Sequence, residues 1–435
     1  MTAHDGGQPQ AELAGQAMAE NTQIFRHTAG MANKFTSHMD FHFTRIVSTE
    51  AYGGASAGEC FETASRIVDA DVKSYTRAWL TTAERIEARA WDCLEKGHEV
   101  SAREAFMRAV VYWGCVGMYT GDKDPLTKES CARSRLLFKE AGKLFDPVIE
   151  PVNIPYEDGR TMKGYFLRGG APGERRPTLM AMGGGENYLE EIYFHSGAGA
   201  VRRGYNSLIF EVPGQKAAIW ENPDLRWRLD AEVPVRYVVD YALSRSEVDP
   251  ERLALIGHSM GGYYVTRAAC FEKRLAAIIP SPIIWDMQSD MLAVLGFDPT
   301  IPYPRDMESQ IDPGNTTAKF LLEGDFRARC GYTDSTIAEW MDFFGEYSVL
   351  GLEDQITCPV LNMVGEGEFG PGRLEEERRH FAMLKNPRNR FNLTTTSEGG
   401  EAHCTGNNLF LKNQLEFDWL DDIFGESAHG STSGT

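Results

Sequence analysis

The chain has 435 residues, 42% of them hydrophobic, and a formal net charge of −19. That length exceeds one ordinary domain of about 150 residues. The acidic balance argues against nucleic acid or an anionic membrane surface as partner, because phosphate is bound by clustered Lys and Arg. A small-molecule substrate is expected, with no metal and no cofactor. The eight cysteines are scattered without a C-x-x-C pair, which reads as reduced thiols in a cytoplasmic protein. The polar N-terminus lacks a basic stretch followed by an apolar core, and no apolar run approaches the ~18 residues of a membrane span. Neither a secretory signal nor a membrane anchor is expected.

In chain order, residues 1–24 and 426–435 are small and polar, the composition of disordered ends. Residues 25–146 show almost no strand pattern and are expected to form a helical N-terminal cap domain. Its clearest helix runs from Ser74, where Trp79, Ala83, Ile86, Ala90 and Leu94 step by three or four until Gly97 stops it. A second is expected to start at Ser101, with Glu104 completing a capping box, and a third covers Leu126 to Phe145. The aromatic run Val110-Val111-Tyr112-Trp113 is expected to wall an apolar substrate site between this domain and the rest of the chain.

At Pro147 the pattern changes. Strands are predicted at Val148–Pro155, Met162–Arg168 and Thr178–Met182. Strands and helices then alternate: strand Asn206–Phe210, helix Leu225–Leu243, strand Arg252–Ile256, helix Met260–Cys270, strand Leu275–Ile279. That alternation specifies an α/β fold with a mostly parallel sheet across residues 147–425. It breaks at about 283–350, read as a lid inserted after the sixth strand. The lid's Trp285, Phe297, Tyr303, Trp340, Phe343 and Phe344 either line a pocket or fill the lid's own core. Strand character returns at Pro359–Val364 and Phe391–Thr395.

The chemistry centres on Gly257-His258-Ser259-Met260-Gly261-Gly262, set between a short apolar strand and a helix. A serine forced onto a sharp strand-to-helix turn needs neighbours without bulk, which Gly257 and Gly261 supply. The backbone N–H of Met260, opening the helix, then points where an oxyanion forms. The run Gly183-Gly184-Gly185-Glu186-Asn187 follows the third strand. It has no Gly-Lys-Ser/Thr continuation and fits no dinucleotide fingerprint, so Gly184 or Gly185 is expected to give the second oxyanion donor.

A serine hydroxyl needs a base, and the base needs an acceptor that fixes its tautomer. His403 stands on a Gly-rich loop after the final strand, whereas His380 lies in a charged helix and His429 in the tail. The orienting acid is expected to be Glu368 on the turn after the seventh strand, with Glu366 and Asp286 as competitors. Glu186, Asp286 and Tyr263 are candidate substrate contacts.

The serine elbow resembles a known family in its company. With it go the glycine loop continuing into Glu190-Glu191, the segment Phe210-Glu211-Val212-Pro213-Gly214-Gln215, and the ending Glu401-Ala402-His403-Cys404. Together they look like the α/β-hydrolase group with an N-terminal helical domain that includes 2,6-dihydroxypseudooxynicotine hydrolase and the fungal naphthopyrone-shortening pigment hydrolases. The similarity runs from about Arg77 to Phe424. It implies hydrolysis of a carbon–carbon bond next to a ketone in an aromatic or polyketide substrate by Ser259, His403 and an acid. It also implies an active site between the helical and hydrolase domains of a homodimer. Two departures stand out: glutamate at Glu368 where aspartate is usual, and Lys216-Ala217 after Gln215 where Gly-Glu is common. A carboxylester or lactone hydrolase uses the same triad, so the leaving group alone separates it from a carbon–carbon hydrolase. The same sequence also admits a dehydratase or cyclase on this scaffold, or a helical interaction module joined to an inactive hydrolase.

Overall fold

The computed structural model describes residues 34–121, 124–324, 326–332, 334–368 and 372–425. The two polar ends expected to be disordered lie outside them. The described N-terminal part is helical: α1 Met39–Ser48, α2 Ala57–Ser65, α3 Val72–Glu95, α4 Glu99–Val116 and α5 Pro125–Lys143. In α3 the side chains of Trp79, Ala83, Ile86 and Ala90 are fully buried, and Asp71 caps its N-terminus by accepting from the N–H groups of Lys73 and Ser74.

Helix α4 starts before the expected Ser101 cap. Gly97 takes a left-handed φ of 74°, and the His98 N–H bonds to the Cys93 carbonyl at 2.8 Å, closing α3. The next helix therefore begins at once from His98, leaving Ser101 exposed inside it. The aromatic run on α4 faces the helices rather than a substrate site, which corrects the expected wall. Tyr112 donates to Glu59 at 2.8 Å and Trp113 Nε1 to Glu87 at 2.7 Å.

The strands are β1 Glu150–Pro155, β2 Thr161–Leu167, β3 Arg176–Met182, β4 Asn206–Phe210, β5 Val248–His258, β6 Ala277–Ser281, β7 Leu361–Gly365 and β8 Arg390–Thr394. Six form a sheet in the order β1-β2-β4-β3-β5-β6, antiparallel at β1-β2 and β2-β4 and parallel from β4 to β6. The parallel pair β7-β8 continues beside β6 through a bridge between Ile278 and Val360. Strand β5 carries Leu253-Ala254-Leu255-Ile256, all fully buried because helices cover both faces of a parallel sheet.

The helix expected from Leu225 begins only at Glu232. Upstream, Arg228 is drawn into ion pairs with Glu157 and Asp230, and the Trp227 N–H donates to the Arg329 carbonyl, so that stretch stays irregular. Between β6 and β7 lie short helices at Met287–Leu295, Thr316–Glu323, Phe326–Cys330 and Ile337–Phe344.

A buried ion cluster ties the helices to the sheet. Arg135 of α5 reaches Glu190 at 3.2 Å and Glu211, just past β4, at 2.7 Å, and also contacts Glu221. Tyr165 on β2 adds a 2.9 Å bond to Glu190. Burial pushes the Glu211 carboxyl up to about 7, against the pull of Arg135. Removing one partner of such a cluster strands the others in low dielectric. Arg135→Ala is therefore expected to cost about 3–5 kcal/mol of unfolding free energy, read from denaturant titration, whereas Lys96→Ala on the exposed pair with Asp92 should leave the unfolding midpoint nearly where it is.

Candidate active site

Ser259 directly follows β5 and caps the helix Met260–Phe271 with φ 55° and ψ −122°, a conformation that costs a non-glycine residue of order 1–3 kcal/mol and persists only where neighbours enforce it. The enforcement is steric and local. A Cβ on Gly257 would lie 2.2 Å from the Gly261 carbonyl oxygen, and one on Gly184 would lie 2.6 Å from Ser259 Cβ. The Gly183–Gly185 loop is thus pressed directly against the serine. Gln215 holds that loop from behind, donating to the Gly183 carbonyl at 2.7 Å and the Gly184 carbonyl at 3.2 Å while accepting from the Val212 N–H.

The loop's own donors are not equivalent. The Gly184 N–H is spent on Asn187 Oδ1 at 2.8 Å. The N–H groups of Gly185 and Met260 have no partner among the described residues, and both residues line the cavity that Ser259 faces. Of the two loop glycines singled out in the sequence, Gly185 is thus the one whose N–H is left unspent among the described residues.

His403 follows β8 on a short helical turn, and its Nδ1 bonds to Glu368 Oε1. The other oxygen of Glu368 accepts from the Gly365 N–H at 3.0 Å, so the carboxylate is fixed at the end of β7. Burial opposes a charge on His403, but the Cys404 sulfur and the Glu368 carboxylate outweigh it and push its pKa well up. The competing acids are elsewhere. Glu366 is exposed and accepts from the N–H and Oγ1 of Thr396. Asp286 caps the helix Met287–Leu295 by accepting from the Ser289 N–H at 2.8 Å.

Ser259, Met260, Gly185, Glu368 and His403 open on one cavity of about 650 Å³. Its far walls are mostly apolar, with Ile284, Met287, Met291, Val294, Phe297, Leu321 and Phe326, and Asp290 paired to Arg373 at one side. Of the lid aromatics named in the sequence, only Phe297 is among these residues. Trp340 and Phe344 are fully buried in the lid's core. Glu186 lines the cavity, whereas Tyr263 does not. It is completely buried, donates to the Leu229 carbonyl at 2.7 Å and packs on Tyr347, a structural position rather than a substrate contact.

Among the described residues, two groups combine metal-ligand types within 4.8 Å: His38, His42 and Glu186, and Glu368, His403 and Cys404. Arg45 sets a permanent positive charge beside the first, and the second is occupied by the His403–Glu368 bond. Neither donor set favours a cation.

The residues that sequence reasoning missed are those placed by distant contacts. Arg45 and Phe41 of α1 line a small recess behind Ser259 together with Glu186, Asn187 and His403. Gln215 lies in the segment that carries the family resemblance, but nothing in its spacing points to the loop it grips. Phe326 lies in the lid, where no pattern separates a cavity-lining aromatic from a core one.

Strand order, the serine elbow after β5 and a histidine loop after β8 define a hydrolase of α/β architecture, and the chain belongs to the α/β hydrolase family. The family model for that group matches residues 183–388. The α/β hydrolase xenA of Xenoacremonium sinensis is 33% identical over 348 residues, covering 74% of this chain and 80% of the relative. The 20-hydroxy-prefusarin hydrolase FUS2 of Gibberella moniliformis is 34% identical over 250 residues, covering 55% and 59%. Among solved structures, 2,6-dihydroxy-pseudo-oxynicotine hydrolase superposes with a TM-score of 0.64 at 20% identity, covering 90% of this chain and 98% of that one, a likeness of fold.

If Glu368 orients His403, the acid limb of the kcat/KM profile lies above pH 6.5, because the serine proton is accepted only by neutral imidazole. Beside the Cys404 sulfur, Glu368 is the other group that raises the His403 pKa, and Glu368→Gln removes its charge. The limb should then move to lower pH while the plateau falls by about 10³–10⁴-fold. Glu366→Gln should leave the limb where it is. A profile unmoved by Glu368→Gln would remove that residue from the role.

Proposed function

We propose that this chain is a serine hydrolase that cleaves a carbon–carbon bond next to a ketone in an aromatic or polyketide small molecule. The observation that carries the reading is the His403–Glu368 pair opening with the strained Ser259 on one largely apolar cavity. The names of FUS2 and of the pseudo-oxynicotine hydrolase, each a hydrolase of a small organic molecule, support the substrate class.

The steps follow from these residues. His403 Nε2 takes the proton of Ser259 Oγ as the oxygen attacks the carbonyl carbon. The alkoxide is held by the N–H groups of Met260 and Gly185, neither of which is spent on another partner among the described residues. As the tetrahedral carbon collapses, the carbon–carbon bond breaks and its electron pair leaves on the neighbouring carbon as an enolate, which a 1,3-diketone stabilises. The His403 imidazolium returns the proton to that carbon. Water, deprotonated by the same histidine, then attacks the acyl ester and frees a carboxylic acid and Ser259. The described helices supply Phe41 and Arg45 to the site's inner recess, so we read the N-terminal segment as a cap that completes substrate binding.

Ser259→Ala is expected to abolish labelling by a fluorophosphonate and to lower turnover by about 10⁴–10⁶-fold, with the unfolding midpoint unchanged. Benzoylacetone, acetophenone and ethyl benzoate assayed side by side should give the highest kcat/KM for the diketone. Cleavage of the ester alone would make the chain a carboxylesterase, and retained activity in Ser259→Ala would remove the serine mechanism.

A further inference from the structure

The main cavity and the recess behind the nucleophile share three lining residues: Ser259, His403 and Glu186. Glu186 is thus the one carboxylate common to both spaces, and it directly follows Gly185, the loop glycine that lines the cavity and whose N–H makes no hydrogen bond among the described residues. Its two oxygens differ. Oε2 is held by Arg45 Nη1 at 3.3 Å, with His42 Nε2 a further contact at 3.8 Å. Oε1 makes no hydrogen bond among the described residues.

The surroundings fix that arrangement. Arg45 is itself braced by Glu191 at 3.3 Å and by the Phe41 ring, so its guanidinium is not free to swing away. His42 is fully buried, and burial followed by the nearby His38 and Arg45 holds its pKa well below the ordinary value, leaving a neutral ring beside the carboxylate. A carboxylate in an ion pair accepts hydrogen bonds and offers none. Placed one residue from the oxyanion donor, it matches a substrate O–H close to the attacked carbonyl and repels a carboxylate there.

We propose that Glu186, fixed by Arg45, is the specificity-determining acceptor for a phenolic or enolic hydroxyl carried next to the carbonyl that Ser259 attacks. The inference rests on the proposed reading of this site as a serine hydrolase. It narrows the substrate class to hydroxylated aryl or enolic ketones. Taking the hydroxyl off the substrate leaves a desolvated carboxylate without its donor, and sites built around such a bond reject the analogue strongly.

The test compares kcat/KM for ortho-hydroxybenzoylacetone and benzoylacetone, which differ by that hydroxyl alone, with ethyl salicylate and ethyl benzoate run in parallel. The unaltered chain should prefer the hydroxylated member by about 10–10³-fold. Glu186→Gln should bring the ratio close to one, and Glu186→Asp should keep part of it. An unfolding midpoint within a few degrees of the unaltered chain shows that the fold is kept. Asp290→Asn, altering another carboxylate of the cavity, should not move the ratio. A ratio near one in the unaltered chain, a ratio untouched by Glu186→Gln, or one lost through Asp290→Asn instead would overturn the assignment. Cleavage of the ester pair alone would refute the ketone reading while still reporting the hydroxyl preference. If neither pair turns over, protection of Ser259 from fluorophosphonate labelling by the same four compounds gives the ratio.

Discussion

The site depends on one steric constraint: the Gly183–Gly185 loop has to touch a serine held at positive φ with no side chain between them. A loop of three glycines has no intrinsic reason to stay there, because glycine gains the most freedom on release. Hydrogen bonds supply the reason. Gln215 pins the two carbonyls, and Asn187 pins the Gly184 N–H. Asn187 in turn donates to Glu191 at 3.0 Å, and Glu191 is paired with Arg45 at 3.3 Å. The position of the Gly183–Gly185 loop is therefore set through a chain of contacts that ends on α1, outside the sheet.

That route explains why consecutive glutamates sit deep in the structure. Burial alone would keep Glu191 protonated, but Arg45, followed by His195 and Asn187, overrides it and holds its pKa at about 2. Glu190 is gripped the same way by Arg135. Each arginine comes from a helix and each glutamate from the segment after the loop, so the two pairs act as pegs that fix the helices against the face that carries Ser259. Buried pairs of this kind add little net stability against apolar replacements. Their directional geometry is what a loop of glycines lacks, and a purely apolar contact would let the helices slide.

Legibility in the sequence follows the range of the interactions. The elbow is readable because strand, strained serine and glycines are neighbours along the chain, and the sheet because β3 to β6 each bury both faces. Glu368 and His403 stand out as candidates because each sits at the end of its own strand. Arg45 is silent, since its partners Glu186 and Glu191 lie more than a hundred residues away and an arginine in an amphipathic helix has no distinguishing pattern. Two departures from expectation have a common cause. The Val110–Trp113 run and Tyr263 look like site-facing aromatics, but aromatics with a polar tip also serve in cores when that tip finds a partner. Tyr112 finds Glu59, Trp113 finds Glu87, and Tyr263 finds the Leu229 carbonyl.

The electrostatics of His403 bear on how its proton is held before it passes to a leaving group. A histidine whose pKa is raised is a stronger base toward the serine hydroxyl, at the expense of being neutral in a smaller fraction of molecules at neutral pH. An ester's alkoxide leaving group is basic and takes a proton readily from any imidazolium. A carbon leaving group departs as a delocalised enolate and is protonated more slowly, so the imidazolium has to persist until the transfer is complete. In the proposed mechanism the Cys404 sulfur, together with Glu368, which is buried and held by the Gly365 N–H, stabilises that cation throughout the interval. Apolar walls beyond it keep water from competing for the carbanion. The same two features serve an ester as well, because a triad stabilises its imidazolium whichever group departs, so the leaving group of the substrate decides which bond breaks.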